Sequence, residues 1–301
     1  MALYADDTKI WREIKCDTDQ VVLQNDVDRL SEWSVANKMN FHSEKCKVLP
    51  VTNKCLNHVL PFHDHIYELN GILLDYVQNE KDLGVVTNRQ LTWNSHCEML
   101  VLKANKQFGM LRRTCYFMAD IKQRCVLYIT LIRSIFEHCC QIWAPQDKKS
   151  LDAITALQKR AVKWILKEQH MSYTDQTFLI KQKNLDVLPV KNKFLFSDLV
   201  LFYKITNKLV NINLPNYVIK VEPHMIEQVT RDNEKSAKGI DNFKYKCCIT
   251  PRVNSFKHSY FYRTVAQWNL LPLKLRTLEN INTFEVGLKE CGWLILGLKP
   301  D

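Results

Sequence analysis

Glycine is scarce in this chain, 7 residues in 301. With 46% hydrophobic and 25% charged residues, that scarcity excludes disorder over most of the length. No internal repeat or low-complexity tract appears. The longest apolar runs, such as Gly292 to Leu298, are far short of the roughly 20 residues a membrane helix needs. The N-terminus has no basic stretch leading into an apolar core. No secretory signal is therefore evident, and an intracellular protein of the nucleus or cytoplasm, without a membrane partner, is expected. The length allows a substantial core and about one to three domains.

Cysteine is not scarce, but its pattern lacks what a zinc knuckle or disulfide framework needs. The eleven cysteines are odd in number and include no C-x-x-C pair. Buried free thiols are expected. Cys139 and Cys140 follow His138 in an apolar helical run, where a small hydrophobe is usual.

The net charge of +10 is uneven. Residues 1 to 80 carry −5, residues 81 to 170 carry +8 and residues 171 to 301 carry +7. An acidic end followed by a basic middle suits a protein that holds metal in one place and a phosphate backbone in the next. Ordinary solvated helices also run a few charges positive, so charge leaves nucleic-acid binding open.

Residues 1 to 14 read as a tight hairpin with Asp6-Asp7 at or beside the turn. Asp17-Thr18 offers a helix N-cap, and Leu23, Val27, Leu30 and Trp33 recur at helical spacing to a stop near Asn37. Residues 45 to 51, 65 to 69 and 82 to 87 are strand candidates, so the first 90 or so residues are mixed α+β. After Trp93, residues 94 to 117, 121 to 140 and 148 to 168 each carry an i, i+3, i+4 apolar pattern. Short breaks between them predict an antiparallel bundle. Further helices are expected at 190 to 208 and 257 to 269. Residues 222 to 246 form a polar linker candidate, with an extended segment at Tyr245 to Thr250.

Tyr4-Ala5-Asp6-Asp7 is the segment that carries chemistry. Phosphoryl transfer to a 3′-hydroxyl uses two divalent cations about 4 Å apart, held by carboxylates. Neighbours on a regular strand point to opposite faces. Adjacent aspartates can serve one site only where a turn breaks that alternation. Mg²⁺ accepts one or two carboxylates supplemented by phosphate oxygens and water. An Asp-Asp pair in a turn is also an ordinary turn.

Context extends the motif. Trp33 to Leu49 (WSVANKMNFHSEKCKVL), Lys81 to Val85 (KDLGV), Leu91 to His96 (LTWNSH), Leu131 to His138 (LIRSIFEH), Trp143-Ala144-Pro145, Leu157 to Ala161 (LQKRA) and Phe261 to Pro272 (FYRTVAQWNLLP) follow in order. With the Y-A-D-D hairpin, this ordered set resembles the C-terminal part of a non-LTR (LINE-type) retrotransposon reverse transcriptase, from residue 3 to about 290. The resemblance implies an α+β N-terminal remnant of a reverse transcriptase palm at 1–92. A mainly α-helical thumb bundle at 93–170 and a mainly helical C-terminal region of unknown role at 171–301 would follow.

Roles carried over by the resemblance are expectations. Asp6 would be a Mg²⁺ ligand shared by both ions, with Asp7 supporting it. Tyr4 would lie under the primer terminus or incoming nucleotide. Lys45 would stand near the leaving pyrophosphate; its ordinary alternative is a solvated lysine on a strand edge. Leu83 and Gly84 would hold the primer strand, glycine allowing close backbone approach. Lys103, Lys106, Arg112, Arg113, Lys122 and Arg124 would meet the phosphates of an RNA template and DNA primer. Lys159, Arg160 and Lys163 would extend that track. For each cation a solvated helix face is the alternative. Tyr245, Tyr260, Phe261, Tyr262 and Trp268 are candidates for base stacking, with core packing the commoner fate.

Two departures weigh on this expectation. His42-Ser43 stands where the family usually has Asn-Pro. The family's first catalytic aspartate, nucleotide-selecting segment and fingers lie upstream of the hairpin, and the endonuclease domain that such elements often carry is absent. An RNA-directed DNA polymerase (a nucleotidyltransferase) is therefore expected in ancestry, inactive unless another chain supplies palm and fingers. The alternatives are an orphaned nucleic-acid-binding thumb or a decayed element product.

Overall fold

A computed structural model describes residues 1–5, 7–52, 66–221 and 243–295. It forms two compact units, Met1–Thr92 and Trp93–Asp301.

The first unit is built from short elements. Strands β1 (Ala2–Tyr4) and β2 (Asp7–Lys9) form an antiparallel hairpin. Helix α1 runs Asp17–Ala36. Its N-cap is Cys16 rather than Asp17. The Asp19 carboxylate accepts from the backbone N–H groups of Lys15 at 2.9 Å and Cys16 at 3.2 Å, satisfying donors that a helix start leaves open. A 3₁₀ turn at Ser43–Lys45 precedes β3 (Lys47–Val48), so the strand expected over 45 to 51 is only two residues long. Strands β4 (Glu68–Leu69) and β5 (Ile72–Leu73) pair antiparallel, and β6 (Asp75–Tyr76) pairs parallel with β3.

The strand expected over 82 to 87 is instead a turn between β7 (Asn79–Asp82) and β8 (Val85–Asn88). Leu83 has φ +47° and Gly84 φ +89°, the two positive values a two-residue type I′ hairpin demands.

Among the described residues, the apolar stripe of α1 meets no closed core. Its buried residues are Gln20 and Ser34; Leu23, Val27 and Leu30 are half-buried, and Trp33 is exposed. Among the described residues of this unit only Tyr67, Leu69 and Val85 are buried hydrophobics.

The second unit is helical and well closed. Helix α2 (Asn94–Thr114) buries Cys97, Leu100, Ala104, Phe108 and Leu111 along one face. The sequence between residues 121 and 140 does not form one helix. It divides into α3 (Ile121–Tyr128), a π turn (Ile129–Arg133) and α4 (Ser134–Glu137). His138 is then extended and Cys139 left-handed at φ +51° before α5 (Cys140–Trp143). Local chemistry accounts for the break. The Thr130 hydroxyl donates to the Val126 carbonyl at 2.9 Å, and the Ser134 hydroxyl to the Thr130 carbonyl at 2.6 Å; such back-bonding bends helices. The Trp143 indole N–H then holds the His138 carbonyl at 2.7 Å.

Helix α6 (Lys148–Ile165) packs on α2 with Ile154, Leu157, Ala161, Val162 and Ile165 buried. Helices α7 (Asp175–Asn184) and α8 (Val190–Thr206) follow. The expected boundary at residue 170 does not separate compact units. Buried Gln158 of α6 donates to the Leu188 carbonyl at 2.9 Å and accepts from the Val190 N–H at 3.0 Å. Strands β9 (Val218–Lys220) and β10 (Tyr245–Cys247) pair antiparallel; residues 222–242 of the linker candidate lie outside the described residues. Helices α9 (Asn254–Lys257), α10 (Tyr260–Leu270), α11 (Leu273–Arg276) and α12 (Ile281–Ile295) complete the chain. Phe202 and Tyr203 of α8, Trp268 of α10 and Phe284 of α12 share one buried cluster, with Tyr203 and Phe284 stacked at 4.4 Å. Among the described residues no helix is long and apolar enough to cross a membrane. Ten of the eleven cysteines are described and all are free thiols; Cys55 lies outside the described residues.

Candidate catalytic hairpin and nucleic-acid interface

Tyr4 and Asp7 face each other across the β1–β2 hairpin, with Ala5 in the turn at φ +52°. Asp6 lies outside the described residues. Asp7 is exposed, and Leu3 and Tyr4 are 64% and 67% exposed. Two adjacent carboxylates are part of a Mg²⁺ donor set, but a two-metal site needs more oxygen ligands. Among the described residues, no three His, Cys, Asp or Glu side chains gather as metal ligands. With Asp6 outside the described residues, Asp7 alone of the pair is placed, and no chemical step through Mg²⁺ follows from the described residues.

Beside the hairpin lies an open groove of about 940 Å³ lined by Ile10, Trp11, Leu23, Val27, Leu30, Val48 and Tyr76. Here the α1 stripe that reads as core from sequence borders empty space. An apolar wall this large usually meets another surface.

Lys45 ends the 3₁₀ turn and is exposed, so it stands on neither a strand nor a strand edge. Its neighbour Lys47 pairs with Asp75 at 2.7 Å across the parallel β3–β6 bridge. Leu83 and Gly84 occupy the tip of the β7–β8 hairpin. Asp82, just before that tip, forms an ion pair with Lys9 of β2. The second hairpin's turn thus meets the open end of the first, where Ala2 faces Lys9. Sequence reading missed this pair because nothing local links residues 9 and 82. Gly84→Ala is expected to cost the hairpin about 1–2 kcal/mol, the penalty for a Cβ in left-handed backbone. Denaturant unfolding would measure it; an unchanged midpoint would contradict the turn geometry.

The cations divide into two groups. Lys103, Lys106, Arg112 and Arg113 on α2 and Lys122 at the start of α3 are exposed. Among the described residues none of the five takes part in a salt bridge; Arg112 lies 5.9 Å from the centre of the Phe108 ring. Arg124 belongs to the other group and corrects the expectation placed on it. It is 3% exposed, and its guanidinium donates to three carbonyls: Trp164 at 2.5 Å, Met118 at 2.8 Å and Tyr116 at 3.2 Å. A phosphate cannot reach it. The signal was available, since Arg124 lies four residues before buried Tyr128 and so on the same helix face.

Lys159 and Arg160 are also engaged. Lys159 pairs with Asp175 at 3.0 Å and lies 5.5 Å from the Phe178 ring. Arg160 donates to Asn105 at 2.5 Å, and Lys163 lies 5.3 Å from the Tyr173 ring. The aromatic residues weighed for stacking follow the commoner fate named for them, packing within the fold. Trp268 is buried with its indole N–H on the Phe243 carbonyl at 2.8 Å, Tyr245 meets Phe202 edge-on at 5.2 Å, and the Tyr260 hydroxyl holds the Asp198 carbonyl at 3.0 Å. Phe261 packs against the core cluster, and Tyr262 meets Phe256 at 5.8 Å.

With this geometry in place, comparison with known proteins gives one informative match. Over 168 residues the chain is 24% identical to a probable RNA-directed DNA polymerase from transposon BS of Drosophila melanogaster. The similarity is to a reverse transcriptase. It is weak, covering 55% of this chain and 18% of that protein. No family profile matches the chain, and no solved structure matches it significantly. The match is a likeness to a transposon RNA-directed DNA polymerase over about half of this chain, and the chain spans less than a fifth of that protein's length.

Proposed function

We propose that these residues are the C-terminal part of a reverse transcriptase of a non-LTR (LINE-type) retrotransposon, beginning at the Y-A-D-D hairpin. Residues 1–92 act as part of a palm, residues 93–170 as a thumb, and 171–301 as a helical region packed on that thumb. Asp6 and Asp7 contribute to a Mg²⁺ site, Lys45 stands near the leaving pyrophosphate, and Tyr4, Leu83 and Gly84 contact primer or nucleotide. An RNA template and DNA primer are the partners, held by phosphate contacts that carry no sequence information.

The observation that carries the nucleic-acid reading is the set of five exposed cations, Lys103, Lys106, Arg112, Arg113 and Lys122, with no salt-bridge partner among the described residues. Of the remaining cations, Arg124 is buried, Lys159 pairs with Asp175, and exposed Arg160 bonds to Asn105. The uncovered groove and exposed hairpin of the first unit favour the further reading that binding persists without catalysis, because the second unit closes its own core.

Gel-shift titration of an RNA–DNA template–primer across a salt series tests this. Changing the five cations to Glu is expected to weaken binding by about 10- to 100-fold near 0.1 M salt and to flatten the slope by roughly 0.9 per lost phosphate contact. Unchanged affinity and slope would sink the interface. In parallel, these residues alone are expected not to extend a primer with Mg²⁺. Extension that Asp6→Asn abolishes would overturn that expectation.

A further inference from the structure

The turn between α2 and α3 carries Tyr116 and Phe117, which are 77% and 72% exposed. Their rings meet edge-to-face at 5.7 Å. Two adjacent aromatic rings in water forgo the stabilisation that burial brings, so their exposure calls for a cause. The backbone supplies one. The guanidinium of Arg124 binds the carbonyls of Tyr116 and Met118 and ties both to the Trp164 carbonyl of α6. Its planar group lies 4.8 Å from the Trp164 ring, and the Met118 N–H returns to the Cys115 carbonyl. The turn is anchored from inside, with the two rings held outward.

The charge around the rings points to the occupant. Arg112 and Arg113 precede the rings and Lys122 follows them, each within six residues in sequence and all exposed. The one carboxylate in the turn, Asp120, accepts the Lys122 backbone N–H at 2.7 Å as a helix cap. Aromatic faces beside cations, with the nearby acid occupied, match the chemistry of unpaired nucleotides, whose bases stack while their phosphates pair with Lys and Arg.

We propose that the Tyr116–Phe117 turn is a stacking platform for unpaired bases of a single strand, RNA or DNA, leaving the end of the duplex. Arg124 is its positioning residue. The proposal deepens the nucleic-acid reading and rests on it for the duplex, although single-strand binding is measured separately.

The test uses the full chain with three fluorescent probes: oligo(U) RNA, oligo(dT) DNA and a blunt RNA–DNA duplex. Tyr116→Ala with Phe117→Ala is expected to weaken single-strand binding by about 10- to 100-fold, the range for losing one or two stacked bases, with blunt-duplex binding within about threefold on the same basis. Tyr116→Trp with Phe117→Trp should restore single-strand binding, which a merely structural role would not require. A larger loss on RNA than on DNA would identify RNA as the strand, and the reverse would identify DNA.

Single-strand affinity unchanged in the alanine pair overturns the platform, and a salt-dependent duplex signal in the same experiment keeps the broader reading. Equal losses on strand and duplex also overturn it. Single-strand loss in a chain that never binds duplex supports the platform and removes the thumb reading. No nucleic-acid binding by the parent chain overturns both and leaves the rings to a protein partner.

Discussion

Replacing Arg263 with alanine is expected to destabilise the second unit by roughly 3–5 kcal/mol, the cost of leaving a buried charge without its partner. Arg263 of α10 grips Asp198 of α8 through two parallel contacts, Nε to Oδ2 at 2.9 Å and a terminal N–H to Oδ1 at 3.0 Å. The same guanidinium donates to the Gln141 carbonyl at 2.6 Å and the His258 carbonyl at 2.8 Å. One side chain therefore joins α5, α8, the end of α9 and α10, with the pair's side chains 13% and 7% exposed. Four hydrogen bonds and a charge are lost at once, and Asp198 is left in apolar surroundings. Denaturant unfolding of Arg263→Ala beside the Asp198→Leu/Arg263→Met double variant separates the two costs. The double variant should recover much of the loss, because apolar groups of similar volume often replace a buried pair with little penalty. If the single variant lost less than about 1 kcal/mol, the range of an exposed pair, the clasp would be peripheral to stability.

The second large effect is in the response to acid. Burial presses His96 down from 6.5 to about 4, with the charge of His138 adding to it. The ring is 1% exposed and meets Trp143 edge-on at 5.1 Å. A depressed histidine is neutral in the folded chain while the unfolded chain takes up a proton. Its stabilisation is complete above 6.5 and is lost as pH falls toward 4. Burial pushes Asp198 the other way, from 3.8 up to about 6, with Arg263 opposing. There the folded state holds the extra proton, so stability falls as pH rises from about 4 to 6.

Each shift corresponds to roughly 3 kcal/mol, with opposite signs across nearly the same window. These two groups should offset one another between pH 4 and 6. His96→Gln is then expected to expose a fall in stability of roughly 3 kcal/mol with rising pH, and Asp198→Asn a rise of similar size. Thermal midpoints at half-unit pH steps would show it. Profiles parallel to the parent in both variants would place the titration elsewhere.

Much of the second unit was legible because its helices bury stripes at the helical period. Ile154, Leu157, Ala161 and Ile165 of α6 are both the apolar repeat and the buried face. The same rule mislocated Arg124, where a cation occupies a stripe position and spends its donors on carbonyls. It also ran the 121–140 helix too far, because periodicity does not register hydroxyls that bond backward. In the first unit the stripe of α1 was real, yet Leu23, Val27 and Leu30 border a groove. Amphipathicity states that a face needs cover, not which residues supply it.

By itself, the sequence determined the order of motifs, the acidic-to-basic charge gradient, the helical periods and the polymerase likeness. All of these depend on residue identity and short spacing. Tertiary structure alone decided which cations remain free, that Lys9 meets Asp82, that Arg263 clasps Asp198, and that Tyr116 and Phe117 face solvent. Those outcomes depend on partners 40 to 73 residues apart, such as Arg124 with Trp164 and Lys9 with Asp82. Contacts at that range arise from packing and chain path, which no local pattern encodes.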